Sequence, residues 1–208
     1  MVNSTLATES VQPNTLPSTK DARPKLKRRG LLREILETVL LVAAIYALVN
    51  LATARFIVDG ASMQPNFATG QFLIVSRVNY LFSEPEYGDI IVFHEPRREE
   101  DDYIKRVIGL PGDTIEIREA QVYVNGGLID EPYINNTKTC FGDCAWTLTG
   151  DEYFVMGDNR QHSSDSRAFG PVERRLIVGE ALVRYWPPSK WGIVEKIRFP
   201  QSNTVLAD

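Results

Sequence analysis

Apolar and polar positions divide the chain into three regimes. Residues 1–24 are rich in Ser, Thr, Pro, Asn and Gln and show no hydrophobic period. Such a segment cannot bury enough apolar surface to fold, so it reads as a disordered tail. Next comes a basic cluster (Lys20, Arg23, Lys25, Lys27, Arg28, Arg29, Arg33), then L-L-R-E-I-L-E-T-V-L-L-V-A-A-I-Y-A-L-V-N-L-A-T-A-R. The 17 residues from Thr38 to Ala54 carry no charge, at the lower edge of what spans a bilayer as a helix. Arg33 and Glu37, four apart, can pair at its entrance. The third regime is a series of short segments dense in β-branched and aromatic residues. They are F-I-V, F-L-I-V-S-R-V, I-I-V-F-H, Y-I-K-R-V-I-G-L, T-I-E-I, V-Y-V, E-Y-F-V-M and A-L-V-R-Y-W. Gly and Pro punctuate them; Asn125-Gly126 predicts a hairpin and Pro111-Gly112 a type II turn. Helical periodicity is weak here and there is no internal repeat. The prediction is a mainly β, antiparallel fold behind one N-terminal helix.

Charge settles several questions. The 208 residues suffice for one sizeable domain. A net charge of −4 and a pI of about 5.3 argue against a nucleic-acid partner. The basic cluster before the apolar run orients it with the N-terminus cytoplasmic and the C-terminal remainder on the outer side. A cleavable signal peptide is the competing reading, and Ala52-Thr53-Ala54 has the small-x-small form of a cleavage site. The apolar run exceeds a usual signal core, which favours a retained anchor and a lipid bilayer as partner. A buried amphipathic helix would leave the basic prefix unexplained. Two cysteines, Cys140 and Cys144, and two histidines make a poor zinc set, so no metal or cofactor is expected. Free thiols and a short-loop disulfide both remain open for the pair.

Three segments carry chemistry. In Val58-Asp59-Gly60-Ala61-Ser62-Met63-Gln64-Pro65 a serine sits among turn residues just after the anchor. In Tyr103-Ile104-Lys105-Arg106-Val107-Ile108-Gly109-Leu110-Pro111-Gly112-Asp113, strand alternation puts Tyr103, Lys105 and Val107 on one face and Ile104, Arg106 and Ile108 on the other. Gly157-Asp158-Asn159-Arg160-Gln161-His162-Ser163-Ser164-Asp165-Ser166-Arg167 holds no aliphatic side chain, and a strand leads straight into it.

Together these segments resemble the boxes of type I signal peptidases: S-M-x-P, K-R-V-I-G-L-P-G-D and G-D-N-R-x-x-S-x-D-S-R, in that order behind an anchor. The resemblance implies a membrane-bound serine endopeptidase that removes signal peptides from exported preproteins after small residues at positions −1 and −3. It implies Ser62 as nucleophile and Lys105 as general base. An ordinary lysine, with a pKa near ~10.4, is neutral in only about one molecule in 2,500 at pH 7, so an apolar wall must destabilise its ammonium. By the same resemblance Ser163 hydrogen-bonds the amine. The oxyanion donor is the Ser62 backbone N–H, and Gly60 stands where many relatives have a helping serine. Val58, Met63, Phe67, Tyr103 and Ile104 line the substrate pockets. Arg106, Asp158, Arg160, Asp165 and Arg167 brace the third segment against the lysine strand. The implied organisation is a tail at 1–29, an anchor at 30–55, a catalytic β core at 56–113 and 150–208, and an inserted β lobe at 114–149 that a Cys140–Cys144 disulfide would staple. The cell membrane, or a thylakoid or organellar inner membrane, would carry it.

Rival readings remain. A Ser-His-Asp hydrolase using His94 or His162 needs triad geometry that close sequence neighbours rarely reach. A catalytically inactive, membrane-tethered β module that binds exported chains would keep the same residues without cutting.

Overall fold

The computed structural model describes residues 28–136 and 144–197. The expected tail therefore lies outside the described residues up to Lys27, as does Cys140. The described residues fall into two compact units, divided between Ala43 and Ala44. Helix α1 (Arg28–Ala52) contains one stretch, Gly30–Ala52, long and apolar enough to cross a membrane. Arg33 Nε donates to Glu37 Oε1 at 2.7 Å, the pair expected from their spacing. The helix ends earlier than the predicted anchor. Thr53, Ala54 and Arg55 open strand β1 (Thr53–Ile57), because they pair with β2 (Phe72–Ser76) in register Thr53↔Ser76 to Ile57↔Phe72.

A short helix α2 (Asn79–Phe82) leads to β3 (Ile90–Glu95) and the long β4 (Arg98–Gly109). Strands β5 (Thr114–Arg118), β6 (Gln121–Val124), β7 (Gly127–Leu128) and β8 (Ala145–Thr147) form a separate sheet in the order β7-β6-β5-β8. The chain then returns through β9 (Glu152–Met156), a turn of helix α3 (Ser166–Phe169), β10 (Val172–Glu173), β11 (Ile177–Trp186) and β12 (Gly192–Ile193). The large sheet runs β1-β2-β11-β3-β4-β9-β10, with β12 on β11, and every pairing is antiparallel. This is the mainly β, antiparallel architecture that the pattern predicts.

Alternation along β3 and β4 sorts the core. Ile91, Phe93 and Val107 pack with Tyr153 and Val155, while Ile90 and Val92 pack with Val58, Met63, Phe67 and Leu73. Ile108 joins a third cluster that binds the smaller sheet to the larger through Ile115, Ile117, Val122, Phe154 and Met156. Trp146 packs its ring 4.7 Å from that of Phe154, whereas Trp186 and Trp191 are exposed. The turn chemistry follows the sequence. Asn125 and Gly126 take φ of 52° and 80° between β6 and β7, and Gly112 takes 89° with Asp113 N–H bonded to Leu110 O. Cys144 is disulfide-bonded.

Candidate active site

Lys105 lies mid-way along β4, opposite Ile91 of β3, and is 3% exposed. Its Nζ stands 2.9 Å from Ser62 Oγ and donates to the Ile104 carbonyl at 2.8 Å. The Tyr103 ring centre is 5.0 Å away. Burial lowers the amine's pKa from 10.5 to about 8, against the opposing fields of the Asp165 and Asp158 carboxylates. That drop corresponds to about 3 kcal/mol of ammonium destabilisation.

Ser62 is presented by a tight loop between β1 and β2. Gly60 adopts φ of 95°, a conformation that disfavours side chains, and Thr69 Oγ1 accepts from its N–H at 3.1 Å while donating to its carbonyl at 3.0 Å. The third segment closes over this loop. Asn159 N–H donates to Ser62 O at 2.9 Å and Asn159 Nδ2 to Ala61 O at 3.1 Å. Gly157, at the end of β9, must be glycine. A Cβ there would sit 2.5 Å from Ser62 O and 2.3 Å from Ser163 Oγ.

The charged residues brace the site, though not all as expected. Arg106 Nε and Nη2 donate to Asp158 Oδ1 and Oδ2 at 2.9 and 2.8 Å, and Nη1 donates to Gly88 O at 3.0 Å. Asn66 Nδ2 donates to Asp158 Oδ2 at 2.7 Å. This pair ties the third segment to the lysine strand. Asp165 instead pairs within its own segment, accepting from Arg167 Nε and Nη2 at 2.8 Å each and from Gly157 N–H at 3.0 Å. Burial works to raise the Asp165 pKa, but Arg167 and the Gly157 N–H outweigh it and hold the carboxyl below its ordinary range. Arg160 reaches Glu131, between β7 and β8, in a buried bidentate pair rather than the lysine strand. Glu131 carries no signal in the sequence because only the fold makes it a neighbour of the boxes, and Asn66, next to Pro65, shows its link to Asp158 only in the structure.

A cleft of about 480 Å³ opens onto Ser62 and Lys105. Val58, Tyr103 and Ile104 line it, together with Phe56, Leu73, Val92 and His162. Met63 and Phe67 do not. They are 1% and 4% exposed and sit in the core, where a Phe67 N–H bond to Met63 O winds the chain inward. The bond expected from Ser163 to the amine is also not formed. Ser163 Oγ is buried and turned away from the amine, beside the Gly157 backbone and the Asp165 carboxylate, whose pKa it helps to hold down. The histidines make other pairs: His94 Nδ1 lies 2.8 Å from Asp102 Oδ1, and His162 Nδ1 lies 3.3 Å from Asn159 Oδ1.

Comparison with known proteins finds relatives along most of the chain. The family model described as "Signal peptidase, peptidase S26" matches residues 31–186. The chain is 36% identical over 197 residues to signal peptidase IB of Staphylococcus aureus (strain COL), covering 83% of this chain and 98% of that protein. It is 37% identical over 148 residues to the probable signal peptidase I-2 of Synechocystis sp., covering 69% of this chain and 67% of that one. A solved signal peptidase I from Enterococcus faecalis V583 is 34% identical, with a TM-score of 0.42, covering 47% of this chain and 97% of that one.

Two outcomes follow from the geometry. Lys105→Met should stabilise the protein by about 1–3 kcal/mol at pH 6–7, by removing a buried ammonium. Below about pH 8 the wild-type lysine is charged in both folded and unfolded chains and the penalty is complete; it vanishes above the ordinary lysine pKa of 10.5. Denaturant unfolding at pH 6.5 and pH 10.5 should therefore show the variant's advantage shrinking. Gly157→Ala should displace Ser62 and cut preprotein cleavage about 10²-fold, read by a gel assay on matched folded protein.

Proposed function

We propose that this chain, which belongs to the signal peptidase family, peptidase S26, cleaves signal peptides from exported preproteins with Ser62 as nucleophile and Lys105 as general base. The observation that carries the reading is a buried lysine amine 2.9 Å from a serine hydroxyl at the edge of a cleft. At pH 7 a pKa of about 8 leaves roughly one amine in ten neutral, some hundreds of times more than an ordinary lysine. Ser62 gives its proton to the neutral amine as Oγ attacks the scissile carbonyl. The resulting oxyanion is met by the Ser62 backbone N–H, which none of the described groups engages. The Lys105 ammonium then protonates the departing amine of the mature chain. Water, deprotonated by the same lysine, hydrolyses the acyl-serine.

The cleft walls fit a substrate with small side chains near the cut. Phe56, Val58, Leu73, Val92 and Ile104 are bulky and apolar, and they leave little depth for anything larger at −1 and −3. A preprotein lying along β4 in extended form would use the backbone as peptide-binding sheet edges do. We read α1 as a retained anchor, N-terminus cytoplasmic, with the β domain on the outer side of the membrane. Thr53 and Ala54, in the small-x-small stretch, are held in β1 against β2, which favours retention over removal.

Ser62→Ala and Lys105→Ala should each fold and lose at least about 10³-fold in preprotein cleavage. A folded Lys105→Ala protein that still cuts at a tenth of the wild-type rate would overturn the assignment. For the wild type, kcat/KM should rise through an apparent pKa of about 8, the amine being active when neutral. A profile flat from pH 6 to 9 would contradict it.

A further inference from the structure

A second buried charged cluster lies outside the candidate active site. Asp89, just ahead of β3, and Glu180, in β11 opposite Ile91, are 2% and 3% exposed. Tyr80 Oη donates to Asp89 Oδ2 at 2.8 Å, the Glu86 N–H to the same oxygen at 3.0 Å, and Asn79 Nδ2 to Glu180 Oε2 at 2.8 Å. The other oxygen of each carboxylate turns to a single cation. Lys196 Nζ lies 3.2 Å from Asp89 Oδ1 and 2.5 Å from Glu180 Oε1. Arg174, over the Tyr80 ring at 5.4 Å, is committed to Glu84 at 2.8 Å. Two deeply buried carboxylates thus share one cation, and removing it would leave them uncompensated.

Lys196 belongs to the segment after β12, which is seated closely on the domain. Val194 N–H donates to Leu182 O at 2.8 Å. The Ile197 carbonyl presses on Gly88, where a Cβ would stand 1.7 Å from its oxygen. Gly88 and Asp89 in turn extend the β3–β4 ladder toward the catalytic strand. Gly88 N–H donates to Val107 O and Val107 N–H to Asp89 O, both at 2.9 Å. Gly88 O accepts from Arg106 Nη1, whose guanidinium grips Asp158.

We propose that Lys196 is a positioning residue for cleavage: residues 194–197 form a charge clamp that neutralises Asp89 and Glu180 and so seats Gly88 and Asp89 against β4, the strand carrying Lys105 and Arg106. The proposal rests on the reading of Ser62 and Lys105 as the reacting pair. It differs from simple packing in its response to pH. In Lys196→Met the alkyl stem remains but the cation is gone, so one of the two carboxylates must take up a proton on folding. Proton uptake on folding makes stability fall as pH rises. The deficit of the variant should therefore widen with pH, whereas lost packing would cost the same at every pH.

The test uses the full chain in detergent micelles, with thermal melts and preprotein kcat/KM measured from pH 5.5 to 8.5. Lys196→Met should cut within about threefold of wild type at pH 5.5 and at least about tenfold below it at pH 8, with a Tm gap that widens in parallel. Lys196→Arg should restore most of the loss. A Tm gap equal at all pH values, or a Lys196→Met protein matching wild type throughout, overturns the clamp. A wild type that cuts no preprotein overturns the functional reading and the positioning role with it, and the melts then judge the clamp alone.

Discussion

The structure turns on the burial of one amine. Lys105 lies in β4 opposite the core residue Ile91, and among the described residues its Nζ has a serine hydroxyl and a backbone carbonyl within hydrogen-bonding reach, with the Tyr103 ring 5.0 Å away. Water would have solvated the ammonium; the protein does not. The chain thus bears a local instability of a few kcal/mol, a large fraction of the net stability of a typical domain, and places it where a neutral amine is chemically useful. Asp165 and Asp158 oppose the effect, but their charges are largely spent on Arg167 and Arg106. Those two ion pairs keep nearby anions from undoing the desolvation.

The same pairs explain why the third segment can be so polar and yet so well buried. Asp158 and Asp165 are fully shielded from solvent, and Arg160 nearly so. Each would be costly alone, and each has partners in fixed geometry. Glycine supplies the remaining condition at Gly157, where the backbone of the Ser62 loop fills the space that a side chain would take. The close approach of three separate segments is thus enforced from two directions, by paired charges that pull them together and by a missing Cβ that lets them meet.

Much of this was legible in the sequence, and the failures have physical causes. The strands showed because β-branched runs alternate between Gly and Pro punctuation, and Lys105 showed because alternation put it between Tyr103 and Val107. The start of β4 gives no strand signal, since R-E-E-D-D reads as loop; it is a strand because β3 pairs with it at Glu95↔Arg98 and His94↔Asp102 across a register shift. Thr53 to Arg55 were read with the helix because composition does not mark where an apolar helix becomes a strand. Met63 and Phe67 were assigned to the cleft by analogy of position, but a side chain's direction depends on the turn that carries it. Glu131 and Lys196 carry no local signal at all, being important only for what lies opposite them in space.

Glu131 has a wider consequence. Its carboxylate, offered from between β7 and β8, is the partner of Arg160, and the Tyr133 ring beside it stacks under the Arg106 guanidinium at 4.1 Å. The segment between β7 and β8 is therefore no passive link, because it supplies the partners that hold Arg160 and Arg106 in place. Changes to the hairpins of the smaller sheet would leave those two arginines supported only as long as the short stretch from Glu131 to Tyr133 kept its place.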